Sequence, residues 1–427
     1  MFETADIKKQ ILAKRVRVAS YARENKAVLE KHRSYASLDE LEKNLENAQF
    51  TLSLLNYKYE CLFQKNGGDT LFVFYNGARR LKKNVAPAPL FSRWSYAPLL
   101  SGSLLCIDDP MIYKYEGLKL GWYYGDEHES CIHLAIEIVK AVCRHEKVKQ
   151  EHVVFFGSSG GGYAALFSAT ILQGTLAIAL NPQIRLDKFP YAGEFEKLTG
   201  FHLLGEDYFG RNNLPAAMKG SQSKFLCLSN AESCEDIEHH VRSLCEAYGM
   251  QPAYGLACRE NLALWIYDAV GNPSPHNSVE TKDILPFILE IGSRFRAGVL
   301  NESDCARVGC VNELWHQIFD MRKEQSVAMQ RLRGWIQFDV QIYPEKKQYR
   351  IGDEIVAAIR SDSMVMGQAT YAFYLMRFGV LAVKSLYGMD NIRTFVLREA
   401  GEYSVTGFVK NRNGDIVMIH SRYFIVE

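Results

Sequence analysis

The chain has 427 residues, with 50 Lys+Arg against 49 Asp+Glu and a formal net charge of +1. At 48% hydrophobic and 23% charged residues it is too apolar for a mostly disordered chain, and it lacks the basic excess of a general nucleic-acid binder. Its length suits two or three domains at about 150 residues each. The ten cysteines form no Cys-x-x-Cys pair, and most lie in apolar runs. That pattern fits reduced, buried thiols in a cytoplasmic setting better than a disulfide framework or a zinc site.

Residues 1–48 read as a helical N-terminal extension. No apolar stretch in MFETADIKKQ suggests a secretory signal. Met1 to Arg33 holds nine Lys/Arg against four Asp/Glu, a solvated helical extension packed on the domain or a basic helix that touches a partner or an anionic membrane surface. Ser37-Leu38-Asp39-Glu40 has the Ser-x-x-Glu form of a capping box, so a helix is expected from Leu38.

Residues 49–297 alternate short apolar runs with helical ones. Leu52–Phe63, Thr70–Tyr75, Ser103–Ile107, Val153–Phe156, Leu176–Leu180, Phe225–Leu228 and Leu262–Tyr267 read as strands. Ser130–His145, Gly162–Leu172, Ile237–Tyr248 and Thr281–Phe295 read as helices. Uniformly apolar strands between helices predict a mostly parallel sheet covered on both faces. Val153–Ile184 has no charged residue and is long enough to span a bilayer. Gly157–Gly162 and Asn181-Pro182 break it, so a strand, a turn, a helix and a second strand are expected instead of a membrane span. Residues 298–334 read as a helical connector. Residues 335–427 hold about seven short strands, with an Asn413-Gly414 hairpin signal, and predict an all-β immunoglobulin-like sandwich.

Gly157-Ser158-Ser159-Gly160-Gly161 fits Gly-x-Ser-x-Gly, with Ser159 central. The string alone is weak, but its context is not. A strand runs into it and a helix runs out, which is the order a nucleophile elbow needs. The serine then stands at a helix N-terminus, where free N–H groups face developing negative charge. The run lacks the spacing of a phosphate-binding loop. A base is expected late in the chain, and His276 lies in the Gly/Pro-rich loop after Leu262–Tyr267. The acid is expected after Phe225–Leu228, where Asp236 leads, Glu232 is the alternative and Glu235 trails. His239 and His240, on the following helix, read as rim or surface groups. The oxyanion hole is assigned to the N–H of Gly160 and one from Gly77 or Ala78. Arg79 and Arg80 are either substrate-anion ligands or solvated loop residues. No cluster at metal-ligand spacing is visible, so no metal is expected.

Phe74–Ala78, Ile107–Pro110, Gly121-Trp122-Tyr123-Tyr124-Gly125, the elbow and Asn181-Pro182-Gln183 together resemble the α/β-hydrolase-fold proteins of bacterial surface polysaccharide loci. These are capsule-biosynthesis acyltransferases and esterases, with accessory secretory protein two a more distant likeness. The resemblance covers roughly residues 50–297. It implies an α/β-hydrolase fold, Ser/Asp/His chemistry on acyl esters of glycans and a cytoplasmic place; Arg79 and Asn181 are the candidate substrate contacts. The expected activity is that of a serine-dependent esterase or O-acyltransferase. No cofactor is needed beyond acetyl-CoA as the acyl donor if it is a transferase. The alternative is a non-catalytic binding or assembly component of a polysaccharide or glycoprotein export system. It would dock through the sandwich or the N-terminal helices.

Overall fold

The structure is a computed structural model, described for residues 18, 20–22, 24–81, 86–205, 209–267, 276, 284–309, 338–346, 348–361, 369–378, 380–410 and 416–427. The chain divides into two units, Met1–His316 and Gln317–Glu427.

The first unit is built on a ten-stranded sheet. Its strands are β1 (His32–Tyr35), β2 (Ala48–Leu54), β3 (Tyr57–Gln64), β4 (Leu71–Tyr75), β5 (Ser103–Ile107), β6 (Val153–Ser158), β7 (Leu176–Leu180), β8 (Lys224–Asn230), β9 (Gly255–Arg259) and β10 (Leu262–Tyr267), in the spatial order β1-β2-β3-β5-β4-β6-β7-β8-β10-β9. From β5 through β10 every neighbour pairing is parallel. Only β3 and the edge strand β9 run against the rest. The strands β4, β5, β7 and β10 are buried along their whole length, as strands covered on both faces must be. On one face Val73, Phe155 and Ala179 share a core with the helices Cys131–Glu146 and Gly160–Ile171. On the other, the helix Leu285–Arg296 lies so close that a Cβ on Gly292 would stand 2.9 Å from Ile178 Cδ1.

Several expectations are corrected here. The segment read as a helical extension contains the strand β1, which pairs in parallel with β2. Leu38–Asn44 is helical, and Ser37 Oγ accepts from the Glu40 N–H at 3.2 Å while Glu40 Oε2 accepts from the Ala36 N–H. Leu52–Phe63 is not one strand. It is a hairpin that turns at Leu55, whose φ is 51°, without a glycine or proline to mark it. Ile237–Tyr248 begins as a π-helical turn, Asp236–Val241, before the α-helix Arg242–Tyr248. The basic stretch 1–17, most of the connector (310–334) and the Asn413-Gly414 turn lie outside the described residues.

The second unit has two sheets. One joins β11 (Phe338–Tyr343), β13 (Glu354–Ser361) and β16 (Ile392–Val396). The other joins β12 (Gln348–Tyr349), β14 (Thr370–Arg377), β15 (Val380–Lys384), β17 (Gly401–Lys410), β18 (Ile416–His420) and β19 (Phe424–Val426). All pairings are antiparallel except that of β12 with β19. The sheets pack face to face. Val340, Ile355, Ile359 and Phe395 meet Tyr371, Phe373, Val405 and Val409 in one core. A Cβ on Gly407 would stand 2.8 Å from Val340 Cγ2, so the sheets touch there.

Candidate active site

The site lies where the parallel strands end. Ser159 follows β6, Asn181–Gln183 follow β7, Asp236 follows β8 and His276 follows β10. Gly77 follows β4, and Asp108 and Asp109 follow β5. Residues far apart in sequence therefore meet along one edge of the sheet.

Ser159 caps the helix Gly160–Ile171 with φ 55° and ψ −124°, a conformation that costs a non-glycine residue about 1–3 kcal/mol. The neighbours of Ser159 hold it there. Its N–H donates to Leu180 O at 3.0 Å, and its carbonyl accepts from the N–H groups of Gly162, Tyr163 and Gln183. The flanking glycines are required by space. A Cβ on Gly157 would stand 2.1 Å from Gly161 O, and one on Gly161 would stand 2.6 Å from Tyr75 O. Only bare backbone lets strand, turn and helix close this tightly.

The Ser159 hydroxyl lies 2.8 Å from His276 Nε2. His276 Nδ1 lies 2.8 Å from both carboxylate oxygens of Asp236. Asp236 is buried, whereas Glu232 and Glu235 are exposed in the same loop. The backbone of His276 is fixed as well, since Asn181 Nδ2 donates to its carbonyl at 2.9 Å. The phenyl ring of Phe189 stands 5.5 Å from the imidazole, centroid to centroid. Gly77 lies against Ser159. A Cβ there would be 3.4 Å from Ser159 Cβ and 3.8 Å from Gly160 N. Ala78, the other choice for the second oxyanion donor, is exposed.

Three expected roles change. Arg79 does not stand open to solvent. It is buried, donating to Asp108 Oδ2 at 2.5 Å and to Ala88 O at 3.1 Å. Asn181 is fully buried, and besides donating to the His276 carbonyl it accepts at Oδ1 from the Asn230 N–H and the Tyr267 hydroxyl, so its amide is bonded within the protein and braces the site. His240 is not at the surface. It is 3% exposed, and its Nδ1 accepts from the N–H groups of Ile184 and Arg185. Arg80 is exposed, as a solvated loop residue would be.

Other residues of the site were quoted in the sequence only as parts of a resemblance. The buried Asp108 accepts from Arg79, Asn76 Nδ2, the Leu90 N–H and the Tyr113 hydroxyl, which ties down the loop that carries Gly77. Asp109 accepts from the N–H groups of Gly121 and Met111 at 2.8 and 3.1 Å. Burial pushes its carboxyl up to about 7, against the pull of those N–H groups. Gln183 Nε2 donates to Ser159 Oγ at 2.9 Å. Arg93 Nη2 donates to Ser158 Oγ at 2.6 Å, one residue before Ser159. No local pattern singles out Arg93. Among the described residues no group of three or more His, Cys, Asp or Glu is placed to hold a metal ion, and no helix is long and apolar enough to cross a membrane.

No protein-family model matches the chain, and no curated protein is similar to it in sequence. Solved structures with a related shape include the capsule O-acetyltransferase of Neisseria meningitidis serogroup A, at 15% identity and a TM-score of 0.40, covering 60% of this chain and 95% of that one. The glycosylation-associated Gap123 complex of Streptococcus agalactiae aligns at 13% identity and a TM-score of 0.39, over 59% of this chain and 46% of that one. A dipeptidyl peptidase 4 of Porphyromonas gingivalis aligns at 12% identity and a TM-score of 0.37, over 59% of this chain and 35% of that one. Likeness at this level assigns neither family nor activity.

Proposed function

We propose that the protein is a serine-dependent acyl-ester enzyme of the α/β-hydrolase type, with a glycan acyl ester as its substrate in an esterase or its product in an O-acyltransferase. One observation carries this reading: the hydroxyl of a strained Ser159, the His276 imidazole and the Asp236 carboxylate stand in line at hydrogen-bond distance. Ser159 Oγ attacks the acyl carbonyl and gives its proton to His276 Nε2. Asp236 stabilises the imidazolium and keeps Nδ1 protonated. The N–H of Gly160, with one from the Gly77 segment, stabilises the tetrahedral oxyanion. Collapse expels the alcohol of the ester, or the thiol of acetyl-CoA in a transferase, which takes the proton from His276, and leaves an acyl-enzyme. Water discharges it in an esterase. A sugar hydroxyl discharges it in an O-acyltransferase, for which acetyl-CoA is the donor.

The glycan part of the reading is supported by the resemblance carried by Gly121–Gly125 and Asn181–Gln183. A fluorophosphonate probe tests the chemistry. Ser159 is expected to label, and Ser159→Ala to lose both labelling and turnover of a chromogenic acetyl ester while its Tm stays within a few degrees. Unlabelled wild-type protein, or labelling that moves to Ser158, would reject the mechanism. The unlabelled outcome favours the non-catalytic assembly role.

A further inference from the structure

We infer that Gln183 is a positioning residue for the nucleophile: a hydrogen-bond donor to Ser159 Oγ whose orientation is set by Trp122. This rests on the reading of Ser159 as the nucleophile.

The place of Gln183 is fixed before its side chain is considered. The turn that follows β7 passes through Asn181 at φ 42°, and Pro182 packs against the elbow helix, where a Cβ on Gly162 would stand 3.1 Å from Pro182 Cα. The Gln183 N–H then donates to the carbonyl of Ser159 itself at 3.3 Å. The side chain is fully buried. Its Nε2 donates to Ser159 Oγ at 2.9 Å, and its Oε1 accepts from Trp122 Nε1.

A side-chain amide has nearly the same shape when flipped, so its direction must come from its partners. An indole nitrogen only donates. Trp122 therefore requires the Gln183 oxygen on its side and leaves the NH2 group on the side of Ser159. With a donor already on Oγ, the hydroxyl proton has His276 Nε2 as its acceptor at 2.8 Å. The amide thus selects one arrangement of the hydroxyl, the one that hands its proton to the base. As that proton leaves, Oγ gains negative charge, and a hydrogen bond to a charged group is the stronger kind. The same donor faces Oγ when it leaves in deacylation and takes the proton back.

Trp122 is itself held in place. It is fully buried with φ 53°, followed by Tyr123 at φ 54°, two successive bulky residues in the left-handed region. Asp109 accepts from the Gly121 N–H on one side. On the other, the Tyr123 hydroxyl donates to Ile107 O and accepts from the Asn76 N–H. A chain of contacts therefore runs from the end of β5 to the nucleophile through Asp109, the 121–124 loop, Trp122 and Gln183.

The test compares wild type, Gln183→Met, Gln183→Glu, Trp122→Phe and the Gln183→Met/Trp122→Phe pair. The readouts are the fluorophosphonate labelling rate, kcat and KM on p-nitrophenyl acetate, the pH profile and Tm. Gln183→Met keeps the length without the donor. Its kcat and labelling rate are expected to fall about 10- to 100-fold, the scale of one hydrogen bond to a charged group, with KM changed less than about twofold. Trp122→Phe is expected to fall similarly, and the pair no further than Gln183→Met alone. Gln183→Glu keeps the shape but presents an acceptor when ionised. Its rate relative to wild type is expected to recover as pH falls and the carboxyl protonates. Wild-type rates in Gln183→Met, losses that simply multiply in the pair, or a Gln183→Glu profile parallel to wild type would each overturn the inference while leaving Ser159 as nucleophile. Unlabelled wild type would overturn the functional reading, and the inference with it. If Gln183→Met does not fold, the Gln183→Glu profile decides alone.

Discussion

Asp236 and Glu232 compete for one role in the sequence, and burial separates them. Asp236 places both carboxylate oxygens 2.8 Å from His276 Nδ1, while Glu232 is exposed, with its own N–H bonded to Asn230 Oδ1. Asp236→Asn is expected to cost about 10⁴-fold in kcat on an acetyl ester, because an amide can hold the imidazole in the wrong tautomer. Glu232→Gln is expected to cost less than about tenfold, as a solvated charge should. Measuring both on one ester at mildly alkaline pH checks the ranking, and the reverse order would move the role to Glu232. His240 gives a prediction on stability. Burial pushes its pKa down to about 4, opposed by the charge of Asp236 and reinforced by His276 and His239, with Asp187 also facing it. Between about pH 6.5 and 4 the unfolded chain binds a proton that the folded chain refuses. Its contribution is therefore present above pH 6.5 and lost as pH falls toward 4, with a limiting slope of about 1.4 kcal/mol per pH unit. His240→Asn is expected to flatten that part of the profile in urea titrations at pH 7, 6 and 5. An unchanged slope would place the acid sensitivity elsewhere.

At the scale of elements, the strand–turn–helix around Ser159 is the most tightly determined feature. Gly157→Ala would drive a methyl group into the Gly161 carbonyl, with no flexible side chain to yield. A loss of about 1–3 kcal/mol or more is expected in denaturant unfolding, together with slower fluorophosphonate labelling. Gly117→Ala is the comparison. Unlike Gly157 it has a positive φ, 83°, but a Cβ there meets nothing within 4 Å, so only the backbone cost of about 1 kcal/mol is expected and labelling should not change. Equal effects on labelling would mean that the elbow tolerates displacement. The elbow was legible in the sequence because its signal is local: an apolar run, small residues at fixed offsets, and a helix. The β2–β3 hairpin was not. Its turn at Leu55 and Asn56 has no glycine or proline, and the apolar pattern runs on through Tyr57 and Tyr59, both buried in the next strand. The edge strand β9 escaped for a related reason, since it is only partly buried and its pattern is weak.

On the scale of the whole molecule, all the residues brought to the site lie within the first unit, and the second unit has a core of its own. A chain ending at His316 is therefore expected to stay soluble and to label at Ser159 at a rate within about threefold of the full chain, since no catalytic contact is removed. A loss of labelling with the fold intact, judged by circular dichroism, would mean that the second unit contributes to the site. The chain order Ser159, Asp236, His276 follows the order of β6, β8 and β10 in the sheet. For that reason the three could be nominated without coordinates.

By itself the sequence determined the alternation of strands and helices, the elbow at Ser159 and the late histidine. Each of these is written in residues close together in the chain, where backbone sterics and hydrophobic period act. Tertiary structure alone decided which polar groups work in the open and which are sealed. Arg79 reads as a loop cation until Asp108, 29 residues on, is placed against it at 2.5 Å. Asn181 reads as a substrate contact until the His276 carbonyl, the Asn230 N–H and the Tyr267 hydroxyl are placed against its amide. Gln183 and Trp122 lie 61 residues apart, and neither suggests the other. A buried polar group must find partners wherever the fold supplies them, and those partners are set by proximity in space, which no local pattern encodes.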